Sequence, residues 1–390
     1  MRNGAVLSVA KILLPALLLF PQASGPGQAG GAGALDPSLR EAGERCPPDS
    51  VLSVVVRLRD TVISGSLHER LLAEGTGRRK THRLLMESMR GESDRLQEEF
   101  LSDLRAAGTF DAVRRVRRFW LANLMVMDVE ARAIEEVSRH PGVEKVVPNR
   151  TVSLERLGGT REALPASAGW NLSKIKAPSL WRDGVTGRGA LVCLIDSGTD
   201  GAHPSLAGKW RGANVPANRA AWHDPWNFSD FPVDDDEELG PTHGTSVAGI
   251  LVGSEAADTI GVAPGAQWIA ANAFEGAFPT ATYEVIIDCL EWAADPDGDP
   301  STVSDVPDVI NNSWGTNGPG GTGLCEDVLW TAIDAIEALG AAVIFSAGNY
   351  GPLPMSIASP ASRIESDVNT MAVGATSDLD AIATFSSRGP

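Results

Sequence analysis

Beyond residue 190 the chain repeats one pattern. A short apolar run ends at a small or polar residue, and a longer stretch with apolar positions at helical spacing follows. Residues 191–195, 267–273, 309–311, 342–346 and 370–374 read as buried strands, and 244–252, 283–294 and 327–339 as helices between them. Strands alternating with helices predict an α/β fold, a doubly wound, mainly parallel sheet within 169–390. The first half reads differently. Residues 50–57 alternate into a strand, 67–107 are long, charged and helix-forming, and 114–128 are a basic edge leading into a strand. A short helix at 131–139 stops at His140-Pro141-Gly142, and 143–147 form a final strand. This order predicts a small α+β domain over 49–155. Residues 1–24 carry Arg2 and Lys11, a short apolar run interrupted by Pro15, then small residues, the pattern of a signal peptide too short to span a bilayer comfortably. The Gly/Ala/Pro-rich stretch 25–48 reads as a flexible linker, and 156–168 as an exposed junction.

Charge sharpens this division. The net charge is −17, but residues 1–160 hold 23 Lys+Arg against 20 Asp+Glu, whereas 161–390 hold 10 against 30. A slightly basic N-terminal part thus precedes a strongly acidic body, which argues against nucleic acid as a partner. No other run is long and apolar enough to span a membrane, so no membrane partner is expected after signal removal, and a monomer is expected. Four cysteines are compatible with disulfides in an exported chain. Cys193 sits inside a buried strand and reads as a core thiol. Cys289 and Cys325 could pair, which spacing alone does not decide.

Three residues carry candidate chemistry. Asp196 ends the 191–195 strand, His243 heads the stretch THGTSVAGILV, and Asn349 follows the strand in AAVIFSAGNYG. In open parallel sheets, functional groups gather at the carboxyl ends of strands. A carboxylate there orients an imidazole, the imidazole serves as general base, and a side-chain amide donates to a developing oxyanion. Taken singly, Asp196 is as well read as a turn cap, His243 as a surface residue and Asn349 as a turn residue. Asp200 and His203 read as turn and support residues, Asp200 in an Asx-turn.

The motifs DSGTDGAHP around Asp196, HGTSVAG from His243 and SAGN ending at Asn349 resemble those of the subtilases, the subtilisin-like serine peptidases. INNSWG at 310–315, WHDPWN at 222–227 and GVAPGAQWIAANAF at 261–274 resemble the bacillopeptidase F branch of that family. The resemblance covers roughly residues 49–390. It implies a secreted serine endopeptidase precursor that acts on peptide or protein substrates, with Asp196 as orienting carboxylate, His243 as general base and Asn349 as oxyanion donor. It also implies that Ser313, Trp314 and Gly315 pair with an extended substrate as an added strand, with Ser346, Ala347 and Gly348 as another wall of the primary pocket. By the same resemblance, 49–155 is an inhibitor-like propeptide, an intramolecular chaperone and inhibitor docked on the acidic body, and 170–181 is a leading helix.

One departure qualifies the resemblance. The family's nucleophile lies in a GTSMA-like segment, whereas the sole Gly-Thr-Ser here is Gly244-Thr245-Ser246, inside the histidine motif. Residues 385–390 resemble the family just before the nucleophile. The expectation is a catalytic domain cut short, with no nucleophile serine and no activity of its own. The alternative is an inactive subtilase-fold binding protein with Asp196 and His243 as relics. No cofactor is required for the chemistry. The acidic cluster 234–238 reads as a solvated charge run. Asp295, Asp297 and Asp299 form a candidate structural calcium site, although the glycine is misplaced for an EF-hand and the closing Glu is absent.

Overall fold

The computed structural model describes residues 34–59, 66–154, 169–214, 218–234, 243–255, 258–274, 280–316, 327–363 and 371–389. The expected signal segment, the junction 156–168, most of the 234–238 cluster and Cys325 lie outside the described residues.

The N-terminal part contains β1 (Ala34–Leu35), α1 (Pro37–Arg45), β2 (Val51–Leu58), α2 (Ser66–Ala73), α3 (Arg78–Ala106), β3 (Val113–Phe119), β4 (Leu124–Glu130), α4 (Ile134–Arg139) and β5 (Val143–Pro148). Its sheet runs β1-β5-β2-β4-β3. The run Val54-Val55-Val56 is buried throughout because both sheet faces are covered. Val54 and Val56 share a core with Phe100 and Leu104 of α3 and Ile134 of α4. Val55, Val126 and Val147 instead join the core of the C-terminal body, together with Met86 and Met89 of α3. Successive strand residues face opposite ways, so one sheet serves two cores.

Three expectations are corrected here. Residues 34–45 are not linker: they form β1, which pairs with β5, and α1, which buries Leu39. Asp36 caps α1, its Oδ1 accepting from Ser38 N at 2.8 Å, and its Oδ2 accepts from Arg150 at 2.9 Å; such a cap contributes about 1 kcal/mol. The long helical stretch breaks into α2 and α3 at Gly75, whose φ of 64° ends a helix without a Cβ penalty. Residues 114–128 are two antiparallel strands, β3 and β4, because Ala122 and Asn123 take positive φ and turn the chain.

After a four-residue strand, β6 (Thr151–Leu154), the body follows: α5 (Trp170–Lys174), α6 (Ala177–Arg182), β7 (Leu191–Asp196), β8 (Trp222–His223), α7 (His243–Val252), β9 (Ser254–Glu255), β10 (Asp258–Thr259), β11 (Gln267–Asn272), β12 (Thr280–Thr282), α8 (Tyr283–Ala294), β13 (Val309–Asn312), β14 (Trp314–Gly315), α9 (Asp327–Ala338), β15 (Ala342–Ser346) and β16 (Met371–Val373). The expected leading helix is two short ones, α5 and α6, separated at Lys176, which has φ of 62°. The central sheet, β16-β15-β13-β7-β11-β8, is parallel at every pairing, as the alternating pattern predicted. Its register aligns the carboxyl ends. Asn312 of β13 sits opposite both Ile195 of β7 and Phe345 of β15, so Asp196, Ser313 and Ser346 share the next level. Cys46, Cys193 and Cys289 are free thiols, the last two fully buried. Among the described residues no helix is long and apolar enough to cross a membrane.

Candidate active site

β7 delivers Asp196 to the carboxyl edge fully buried. Its Oδ1 accepts from Ser197 N at 2.8 Å and lies 2.7 Å from His243 Nδ1. With the carboxylate ionised, Nδ1 carries the proton and donates, which leaves Nε2 as the basic nitrogen. The imidazole is 23 % exposed, so it is held from below and open to a reactant above.

Two glycines permit this approach. Gly198 has φ of 97°, and a Cβ on it would stand 2.1 Å from Val233 O. A Cβ on Gly244 would stand 1.9 Å from Gly198 O. The first turn of α7 therefore touches the turn after β7, which brings a histidine 47 residues away onto Asp196. The expectation that Asp200 closes an Asx-turn agrees with Ala202 N donating to its Oδ1 at 2.8 Å.

Asp234 was missed as a site residue. The acidic run around it predicts solvated charge, but Asp234 is 7 % exposed. Its Oδ1 accepts from Ser197 Oγ at 3.0 Å, and its Oδ2 accepts from Thr245 N at 2.9 Å and Thr245 Oγ1 at 2.6 Å. It thus caps α7 beside the macrodipole's positive end and ties the helix to the turn after Asp196. The single signal in the sequence was a Thr two residues after the histidine.

Ser313, Trp314 and Gly315 lie where β13 ends. Trp314 is buried against Phe345, ring centroids 5.1 Å apart at 83°, so its side chain is core while its backbone forms an edge. That edge is occupied. β6 pairs antiparallel with β14 (Leu154 with Trp314, Ser153 with Gly315) and with β12 on its other side (Val152 with Ala281). An extended segment of the chain's own N-terminal part thus fills the position expected of an added peptide strand.

The sequence pattern of the Subtilase family matches residues 187–390, just over half the chain, including Asp196, His243 and Asn349. The chain belongs to the subtilase family. It is similar to bacillopeptidase F of Bacillus subtilis (strain 168), 35 % identical over 331 residues that cover 78 % of this chain and 22 % of that protein. It is also similar to subtilisin E of the same strain, 29 % identical over 70 % of this chain and 61 % of that protein, and to subtilisin of Bacillus pumilus, 31 % identical over 57 % and 70 %. The chain therefore spans about a fifth of bacillopeptidase F and three fifths of subtilisin E.

In this subtilase, Asn349 follows β15 through Ala347 and Gly348, the latter with φ of 103°. It reaches the same sheet edge as Asp196 and Ser313. The segment 385–387 brackets it: Ser387 N donates to Gly348 O at 2.9 Å, and Gly351 N to Phe385 O at 2.8 Å. Ser346 Oγ is buried without a hydrogen-bond partner.

The N-terminal part is latched to α8 of the subtilase body by charge. Arg115 donates to both Glu284 oxygens, at 2.5 and 2.8 Å, and Arg117 pairs with Asp288, which also meets His223 Nε2 at 2.9 Å. Burial opposes ionisation of Asp288, but His223 and Arg117 together hold its carboxyl below the ordinary value. Leu121 N donates to Glu291 at 2.9 Å. Desolvation pushes that carboxyl from 4.5 up to about 8, although the Leu121 bond works the other way.

The expected trio of aspartates is corrected in one member. Asp299 is exposed, and its Oδ1 accepts from Ser301 N at 2.9 Å and Ser301 Oγ at 2.7 Å, which turns it into the loop's own cap. The carboxylates that come together are Asp295, Asp297 and Asp305.

Proposed function

We propose that the chain belongs to a secreted serine endopeptidase precursor whose propeptide occupies its own substrate edge. The observation that carries this reading is the 2.7 Å contact of His243 Nδ1 with Asp196 Oδ1 at the carboxyl edge of a parallel sheet. A base prepared in this way takes a proton from a serine hydroxyl, which attacks a peptide carbonyl, and returns it to the leaving amine. Water then hydrolyses the acyl-enzyme. Asn349 donates its amide to the oxyanion. Substrate lies between β12 and β14 as β6 does. The serine itself comes from a family segment not contained in these residues, and residues 1–24 direct export.

Asn349→Ala, in a chain that includes the nucleophile segment, is expected to lower kcat by about 10²–10³ with KM little changed, because the ground state lacks the oxyanion. Steady-state kinetics on a peptide substrate measure this, and activity within a few-fold of the parent removes Asn349 from that role.

Residues 34–155, produced separately because β1 belongs to that sheet and Leu39 of α1 to its core, are expected to inhibit the mature peptidase at micromolar concentration. Inhibition weakens with salt, since Arg115 and Arg117 meet Glu284 and Asp288 at partly exposed positions. It also weakens with rising pH. To the extent that docking buries Glu291, its raised carboxyl favours the docked state fully below the ordinary value of 4.5 and loses that contribution as pH climbs through about 8. Glu291→Gln removes this dependence between pH 5 and 8. Inhibition constants measured against salt and pH test the assignment, and absence of inhibition at low salt and pH 5 sinks it.

A further inference from the structure

The loop after α8 gathers charge that neither the catalytic residues nor the peptide edge uses. Asp295, Asp297 and Asp305 bring carboxylate oxygens within 4.8 Å of one another. Asp295 and Asp305 are 5 % and 4 % exposed. In each, Oδ1 is buried without a hydrogen-bond partner in the protein. The remaining oxygens are engaged in ways that fix the loop: Asp305 Oδ2 accepts from Asp297 N at 3.1 Å, and Asp297 Oδ1 accepts from Asp299 N at 2.8 Å. Two buried acceptors facing like charge are costly unless a cation joins them. Burial, with Asp297 and Asp295 nearby, raises the Asp305 carboxyl to about 6, which agrees with charge that the protein leaves uncompensated.

The cation that the fold does supply is Arg90. Its guanidinium pairs with Asp295 Oδ2 and lies over the Trp120 ring, 4.9 Å from the centroid. Arg90 belongs to α3, in the N-terminal part, whereas the three aspartates belong to the body. It meets one oxygen of one carboxylate and leaves the Oδ1 atoms of Asp295 and Asp305 unused.

We propose that Asp295, Asp297 and Asp305 form a calcium site on the body, and that Arg90 competes with the ion for it. Several hard oxygens on one short loop suit calcium, which binds oxygen at about 2.3–2.6 Å. Main-chain carbonyls and water complete the shell. Because the ion and Arg90 draw on the same carboxylate, each lowers the affinity of the other by the same factor. On the reading of residues 34–154 as a removable propeptide, calcium fills the site as that part leaves and resists its return.

Calcium titration by calorimetry of the chelator-stripped whole chain tests this without requiring activity. Three proteins are compared: the parent, Arg90→Gln and Asp297→Asn, with circular dichroism as a check that each folds. Asp297 is exposed, and asparagine keeps the Oδ1 acceptor for Asp299 N, so that change spares the fold. One calcium is expected to bind the parent, about tenfold more tightly to Arg90→Gln, and at least tenfold more weakly to Asp297→Asn. No calcium binding to the parent or to Arg90→Gln at millimolar concentration overturns the site. So does an unchanged affinity in Asp297→Asn, since the ion then binds elsewhere. Equal affinity in the parent and Arg90→Gln overturns the competition. Peptidase function is read separately, by active-site labelling of a chain that includes the nucleophile, so failure of one reading is distinguishable from failure of the other.

Discussion

Asp196→Asn, in a chain that includes the nucleophile segment, is expected to lower kcat about 10⁴-fold while the fold and KM stay near those of the parent. The side chains are nearly isosteric, so the fully buried site keeps its packing. The hydrogen-bond pattern does not survive. Ser197 N donates to Oδ1 at 2.8 Å, and His243 Nδ1 lies 2.7 Å from the same atom. If the asparagine presents its oxygen there, both donors remain satisfied, but the imidazolium that forms during reaction loses its counter-charge. If it presents its amide, Ser197 N is left facing a donor, and the histidine proton moves to Nε2, the nitrogen that must accept. Either arrangement disables the base. Steady-state kinetics beside thermal unfolding measure the effect, and a loss below tenfold in a folded protein would exclude Asp196 as the orienting carboxylate.

Residues 1–390 alone are expected to show no labelling by a fluorophosphonate serine-hydrolase probe, while a chain that includes the nucleophile segment labels readily. A base without its nucleophile retains only weak catalysis from binding and the oxyanion donor. Several serines near the site are otherwise engaged. Ser386 and Ser387 are 1 % and 6 % exposed, and their hydroxyls accept from Ala375 N at 3.0 Å and Tyr350 N at 3.1 Å. Ser197 is tied to Asp234, and Ser313 Oγ accepts from Asn311 Nδ2 at 3.0 Å. Ser246 is exposed on α7 within the histidine motif itself. Labelling of residues 1–390 that His243→Ala abolishes would show that one of these serines is the nucleophile.

The propeptide, calcium and catalytic readings meet on α8. One face holds Glu284, Asp288 and Glu291 against the N-terminal part, and the C-terminal end runs into the aspartate loop. Detachment of the N-terminal part would expose the carboxylates of α8, open the edge of β14 and free Asp295 from Arg90 together. Salt, pH and calcium then act on one docking equilibrium from separate contacts, which is why the inhibition and calcium measurements complement each other.

The sequence by itself determined the elements whose signals are local. The run ending at Asp196, the small-residue helix beginning at His243 and the strand before Asn349 each carry their own pattern, and strand–helix alternation is enough to place all three at the carboxyl edge of a parallel sheet. The tertiary structure decided what depends on contacts distant in sequence. Asp234 became the cap of α7 because Ser197 and Thr245 converge on it, which no composition of an acidic run encodes. Asp305 replaced Asp299 beside Asp295 and Asp297 because the loop folds back on itself and Ser301 takes Asp299 for a local turn. Residues 34–45 read as linker because one buried leucine and a two-residue strand are too little to signal structure until β5 offers an edge. Among the described residues, β6 pairs with no strand of the N-terminal sheet. This strand exists because β12 and β14, more than a hundred residues further on, each leave backbone groups unpaired at the spacing of one extended chain.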